Sequence, residues 1–149
     1  MTQLSTIPDD MLIQEYKARF YIRPGKPVSN PIQTRHHLAS FFEKNDKERF
    51  VVMYLSSWNR VIETEVISEG SISSAHIYAR ELLKRVLSLN AAAVVVSHNH
   101  PSGNPEPSRE DVDLTQKLRD LLKLMDVALL DHIIIAGDRY ISLADKGCL

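Results

Sequence analysis

The chain has 149 residues, 44% of them hydrophobic, which is enough for one hydrophobic core. Its net charge of −1 gives no support to nucleic-acid binding, and no apolar run approaches the roughly 20 residues that cross a bilayer. The single cysteine, Cys148, excludes an internal disulfide and a cysteine-based metal site, and residues 1–10 lack signal-peptide features. We therefore expect a soluble cytoplasmic protein.

The N-terminal segment, residues 1–27, is predicted to consist of a loose tail (residues 1–11) and an edge strand (residues 13–22). Apolar and charged residues alternate in the strand, which is typical of a strand with one solvated face. After a Pro-Gly linker, Asn30 at the N-cap, followed by Pro31, predicts a helix that reaches about residue 44.

The remaining elements alternate between strands and helices. Two strands, 49–56 and 60–67, flank a hairpin turn that contains Trp58. Ser73 or Ser74 begins a second helix, which ends near Leu89. The chain then continues with a strand at 92–97, a helix at 109–125, and strands at 127–136 and 140–143. This order predicts an α/β fold, a single domain with a mixed β-sheet flanked by helices.

Residues suited to metal binding follow the strand at 92–97. His98 and His100 are two apart in an extended segment, so their side chains project together. Ser108 is the predicted N-cap of the next helix, and Asp111 lies in its first turn. Two imidazoles and one carboxylate leave a fourth position for water, the arrangement of a catalytic zinc site. We expect one Zn²⁺ per chain, bound by His98, His100 and Asp111.

A hydrolytic metal site also needs a side chain that moves protons. The strand 60–67, the following helix and the strand 92–97 predict a parallel crossover unit, with the strand 49–56 antiparallel to both strands. Glu48 precedes that antiparallel strand and Glu69 follows the strand 60–67, so both arrive at the end of the sheet that carries His98. Topology alone does not separate these two glutamates.

The pattern His98-x-His100, seven residues, Ser108-x-x-Asp111 resembles the JAMM motif of the JAB/MPN metallopeptidase superfamily. The surrounding residues 90–103 and 107–111, and the segments 130–132 and 147–149, resemble the bacterial RadC family. The likeness covers residues 28–149 and implies a JAB/MPN-like metallohydrolase domain, related to isopeptidases, in which zinc activates water.

The resemblance also implies roles for individual residues. Glu48 matches the family's general acid/base, and Ser108 would donate a hydrogen bond to the developing oxyanion. A protein or peptide substrate is implied, while the specificity and the oligomeric state stay open. Many eukaryotic members of the superfamily have Ser or Thr between the two histidines. This chain has Asn99 there, a difference that RadC proteins share. Residues 1–27 are too short for the helix-hairpin-helix segment of longer RadC proteins, which weakens a DNA role.

The alternative function is a non-catalytic binding module, associated with DNA repair or mobile elements, that retains a metal site. Outside the motif, His132 is predicted to be a satisfied core histidine. Three helical histidines are predicted to face solvent or a partner: His36, His37 and His76. Trp58 is either an interaction anchor or a cover for the edge of the core.

Overall fold

A computed structural model describes residues 6–42, 46–70 and 75–149 of the chain, without the side chains of residues 75–78. The elements are α1 (Asp9–Phe20), α2 (Pro31–Ala39), β1 (Arg49–Leu55), β2 (Val61–Glu69), α3 (Ala75–Leu89), β3 (Ala93–Asn99), α4 (Arg109–Lys123), β4 (Ala128–Ala136) and β5 (Arg139–Ser142). Ser73 and Ser74, the predicted start of the helix before residue 89, lie outside the described residues.

The five strands form one mixed sheet in the order β2-β1-β3-β4-β5. β1 runs antiparallel to both β2 and β3, whereas β3 and β4 are parallel. The predicted α/β fold and the parallel crossover from β2 to β3 are confirmed. In the β1–β3 pairing Phe50 lies opposite His98, so the start of β1 and the end of β3 meet at one end of the sheet.

Helices cover both faces of the sheet. The core on one face contains apolar residues of β1, β3, α3 and α4: Phe50, Val52, Tyr54, Ala79, Leu82, Val86, Val94, Val96, Leu114, Leu118 and Leu122. The core on the other face combines β1, β3 and β4 with α2 and the segment before it: Ile22, Leu38, Val51, Met53, Leu55, Val95, Ile133 and Ile135. Because β1 and β3 lie in the centre of the sheet, nearly all their side chains are buried.

The prediction of a tail over residues 1–11 was wrong from residue 9 onward, and that of a strand over residues 13–22 was wrong, because Asp9–Phe20 forms α1; residues 1–5 lie outside the described residues. The same sequence also has a helical period: Leu12, Ile13, Tyr16 and Phe20 form one half-buried stripe. The Tyr16 and Phe20 rings, one turn apart, have centroids 4.6 Å apart. Acidic residues in the first turn and basic residues in the last turn complement the helix dipole.

α2 begins at the predicted cap, where the Asn30 side chain accepts a hydrogen bond from Gln33 N at 2.8 Å. It ends at Ala39 instead of near residue 44. The Ser40 hydroxyl donates to His37 O at 2.6 Å, and tight turns over the next two residues direct Phe42 into the core.

In the described parts of the chain, no helix combines the length and apolar character needed to cross a membrane.

The prediction that His36 and His37 face solvent or a partner was also wrong for His37, whereas His36 is half-buried. His36 stacks on Phe20 of α1, with ring centroids 4.4 Å apart, and bonds the Tyr16 hydroxyl. His37 is completely buried. Its Nδ1 accepts a hydrogen bond from Ile22 N, and its Nε2 bonds Thr64 Oγ1, each at 2.8 Å. His37 therefore joins α2, the segment after α1 and β2. The side chain of His76 lies outside the description.

The buried His37 makes stability dependent on pH. Burial lowers its pKa to about 4, from 6.5 in the unfolded chain. Because the unfolded chain binds the proton more tightly, the stabilising contribution is complete above pH 6.5 and declines as the pH falls toward 4. The loss is up to about 3 kcal/mol.

Urea unfolding of metal-free protein between pH 7 and pH 4, followed by circular dichroism, measures this effect. The His37→Gln variant is the control, because glutamine does not titrate in this range. It should be less stable than the wild type at pH 7 and should depend less on pH. An equal dependence in both proteins would show that other groups control acid stability.

The hairpin between β1 and β2 presents Trp58 to solvent. Ser56 and Arg60 close the turn through a backbone hydrogen bond of 2.9 Å, and Asn59 adopts a left-handed conformation with φ of 58°. The Trp58 side chain is 83% exposed, so it does not cover the edge of the core.

Candidate metal centre

The candidate metal centre lies where β3 ends and α4 begins. His98 is the penultimate residue of β3 and is 1% exposed. His100 follows the strand, and its backbone N donates to Ile135 O at 2.9 Å, which holds it against β4. Asp111 occupies the first turn of α4 and is also buried. These three residues form a group that could hold a metal ion, as the sequence predicts.

The candidate ligand atoms of the three side chains face one another at close range. His98 Nε2 lies 2.9 Å from His100 Nε2 and 3.3 Å from Asp111 Oδ1, and His100 Nε2 lies 3.1 Å from Asp111 Oδ2. Around a tetrahedral zinc ion with bonds of about 2.05 Å, neighbouring ligand atoms are about 3.3 Å apart. The contacts between neighbouring side chains are therefore close to the separation that such an ion requires.

The hydrogen bond on the far side of His100 directs its lone pair into the group. His100 Nδ1 lies 2.9 Å from Asn104 O. Since a carbonyl oxygen only accepts, Nδ1 donates, and in the neutral ring Nε2 carries the free lone pair. A backbone carbonyl behind a ligating histidine is a common support in metal sites.

Asp111 has a second role at the start of α4. Ser108 Oγ accepts a hydrogen bond from Asp111 N at 3.0 Å, and Ser108 N donates to Asp111 Oδ2 at 2.9 Å. This reciprocal pair is the capping box that the sequence predicts. It fixes the carboxylate beside the histidines through the helix cap. Ser108 itself is exposed.

His100 and Asp111 shift each other's pKa in opposite directions. Burial opposes ionisation of Asp111, but its contacts with His100 and His98 and the hydrogen bond from Ser108 N outweigh the effect of burial, so the pKa of Asp111 lies well below its ordinary value. The hydrogen bond with Asp111 raises the pKa of His100, and the negative charge of Glu48 contributes in the same direction. The group thus attracts positive charge, which a proton or a metal ion can supply.

His132 lies directly behind His98. Its Nε2 is 2.7 Å from His98 Nδ1, and its Nδ1 bonds the Thr115 hydroxyl. The prediction of a satisfied core histidine agrees with its complete burial and two partners. Burial lowers the pKa of His132 well below its ordinary value, so the ring is neutral. Its contact with a candidate ligand was not predicted.

Glu48 is held at the same end of the sheet by the backbone on both sides of it. Asn99 Nδ2 donates to Lys47 O at 3.0 Å, and Asn99 Oδ1 accepts from Arg49 N at 2.7 Å. Gly70 N donates to Glu48 O at 2.8 Å. The completely buried Asn99, between the two histidines, therefore positions the segment that carries Glu48.

Glu69, the other candidate from topology, makes different contacts. Its carboxylate forms ion pairs with Lys47 at 3.2 Å and with Arg49 at 3.3 Å, outside the histidine group. Hydrogen bonds from these two cations lower the pKa of Glu69. Of the two glutamates, Glu48 is the one whose charge acts on His100.

The supporting residues could not be identified from local patterns. In the sheet His132 pairs with Val96, two residues before His98, which places both histidines on one face. A register shift between Val94 and Val95 produces this alignment, and the sequence contains no marker for it. The position of Asn99 between two candidate ligands was the only available signal for its role.

Comparison with known proteins agrees with this geometry. The model of the RadC-like JAB domain family matches residues 28–148. A UPF0758 protein of Syntrophotalea carbinolica is 44% identical over 128 residues, which cover 86% of this chain and 56% of that protein. A UPF0758 protein of Vibrio atlanticus is 40% identical over 136 residues, which cover 91% of this chain and 60% of that protein.

The chain thus spans less than two thirds of the length of these relatives. The family match covers the whole sheet and all the residues of the candidate metal centre, including Glu48. The chain belongs to the RadC-like JAB domain family.

Proposed function

We propose that the chain is a zinc-dependent hydrolase that cleaves amide bonds of peptide or isopeptide type. The observation that carries this proposal is the convergence of His98 Nε2, His100 Nε2 and the two oxygens of Asp111, with contacts of 2.9 to 3.3 Å between neighbouring side chains. Two nitrogen ligands and one oxygen ligand suit a zinc ion that keeps its fourth coordination position open for reaction.

A zinc ion in this position would polarise the scissile carbonyl and acidify a water molecule. Asp111 and the two histidines would hold it. Because both imidazoles are neutral ligands and Asp111 carries one negative charge, the loaded site would keep a charge of about +1. That residual charge favours a substrate carbonyl that becomes negative during the reaction.

Glu48 is proposed to transfer the proton. Its carboxylate takes a proton from the attacking water and delivers it to the nitrogen of the leaving amine as the C–N bond breaks. The hydrogen bonds between the Asn99 side chain and the backbone on either side of Glu48 support this role, because proton transfer requires a fixed distance.

Ser108 is proposed to stabilise the developing oxyanion. Its Oγ accepts from Asp111 N, a bond that uses a lone pair and leaves the hydroxyl hydrogen to donate elsewhere. The side chain is exposed beside the Asp111 carboxylate, where a substrate can reach it. A donor of this kind contributes about 3 kcal/mol to transition-state stabilisation.

The experiment that tests the function uses one zinc-loaded preparation in two assays. Cleavage of a peptide library and of isopeptide-linked lysine substrates is measured by mass spectrometry, and retention of DNA is measured by filter binding. We expect cleavage that disappears with a chelator, returns with zinc, and is absent from an Asp111→Ala variant, together with no DNA retention.

Two results would contradict the proposal. Zinc binding without cleavage, combined with DNA retention, would favour the non-catalytic binding module. Cleavage that survives both chelation and the Asp111→Ala change would show that another site or a contaminant is responsible.

A further inference from the structure

A continuous hydrogen-bonded chain connects His98 to the backbone of α4. His98 Nδ1 bonds His132 Nε2 at 2.7 Å, His132 Nδ1 bonds the Thr115 hydroxyl, and Thr115 Oγ1 donates to Asp111 O at 2.7 Å. All four residues are buried, with Thr115 and His132 completely inaccessible to solvent. This series of hydrogen bonds therefore begins at one candidate ligand, His98, and returns to the helical turn that carries another, Asp111.

The direction of each hydrogen bond follows from the carbonyl at the end. Asp111 O can only accept, so the hydroxyl hydrogen of Thr115 is directed to it. The Thr115 oxygen must then accept from His132, which places the hydrogen of His132 on Nδ1. His132 Nε2 is left as an acceptor for His98.

The direction of these hydrogen bonds also determines the tautomer of His98. Because His132 Nε2 accepts, His98 carries its hydrogen on Nδ1. The lone pair of His98 is then on Nε2, the atom that faces His100 and Asp111. Reversal of any bond in the chain would place a hydrogen on the atom that must bind the metal.

We infer that Thr115 and His132 are positioning residues that hold His98 in its metal-binding tautomer. This inference rests on the proposed function, since it concerns the same metal centre. A carboxylate behind a ligating histidine adds negative charge, whereas a neutral imidazole adds none. The support from His132 therefore orients His98 and preserves the positive charge available to polarise the substrate.

Two substitutions of Thr115 separate the hydroxyl from the shape of the side chain. Thr115→Val keeps the volume but has no hydroxyl, whereas Thr115→Ser keeps the hydroxyl and serves as the matched control. Dissociation constants for Zn²⁺ and Co²⁺ are measured by competition with a chromophoric chelator. We expect Thr115→Val to weaken binding by about 10- to 100-fold and Thr115→Ser to bind close to the wild type.

The imidazole tautomers are measured directly by long-range ¹H–¹⁵N NMR on metal-free wild-type protein. The expected spectrum shows a protonated Nδ1 and an unprotonated Nε2 for His132. A hydrogen on Nε2 of His132 would overturn the inference, and this measurement does not depend on whether a variant folds. Unchanged metal affinity in a folded Thr115→Val variant would overturn it as well.

The two proposals can fail separately. If the wild-type protein binds neither metal, the proposed function fails, whereas the tautomer spectrum still supports or overturns the arrangement of the histidines. If the wild type binds zinc and cleaves peptides but Thr115→Val binds zinc equally well, the inference fails and the proposed function stands.

Discussion

Replacement of Glu48 by glutamine should lower kcat/KM for amide cleavage by about 10²- to 10⁴-fold and leave zinc affinity close to that of the wild type. Glutamine has nearly the same shape as glutamate but cannot accept the proton of the attacking water. The side chain is not among the three candidate ligands, so the ion should remain bound. The measurements are steady-state kinetics and metal titration of the same preparations.

Glu69→Gln is the matched control, because Glu69 lies at the same end of the sheet but forms ion pairs with Lys47 and Arg49. We expect it to retain nearly full activity. If Glu48→Gln cleaved as fast as the wild type while Glu69→Gln was inactive, the assignment of the general acid/base would have to be reversed.

Saturation with zinc should raise the free energy of unfolding by about 4 kcal/mol when free zinc exceeds its dissociation constant 1,000-fold. The ligand atoms come from the end of β3, the following residue and the start of α4, so unfolding separates them and releases the ion. His100→Ala should abolish this zinc-dependent increment. Urea unfolding with zinc and with a chelator measures the difference.

His100 is the better choice for this test than Asp111, whose carboxylate also caps α4. Loss of that cap would cost about 1 kcal/mol in the presence and absence of metal. His36→Ala is the control, since His36 packs against α1 and not at the metal centre. A zinc-dependent increment that persists in His100→Ala would show that the ion binds elsewhere.

The sheet and the directions of its central strands could be predicted because the strongest local patterns coincide with the most buried elements. β1 and β3 are continuous apolar segments, and the hairpin followed by a crossover left few arrangements for them. The prediction failed at α1, where none of the residues is fully buried. There an alternating pattern and a helical pattern coexist, and packing against α2 decides between them.

The candidate ligands could be predicted because they lie close together along the chain, within residues 98–111. The supporting groups could not, because their positions depend on long-range pairing. Asn99 reaches a segment 50 residues earlier, and His132 reaches His98 across 34 residues. The tie between Glu48 and Glu69 has a related origin, since the start of β1 and the end of β2 lie at the same end of the sheet. The family resemblance favours Glu48 in the sequence, and side-chain contacts distinguish the two glutamates in the structure.

The position of Trp58 determines which optical signals can follow this protein. It is the only tryptophan, it is exposed, and β1 separates it from the metal centre by about 23 Å. Its fluorescence should resemble that of an indole in water in both the native and the denatured protein. Intrinsic emission is therefore a poor reporter of metal uptake and of denaturation, although it would respond sharply to a protein that docks on the hairpin tip.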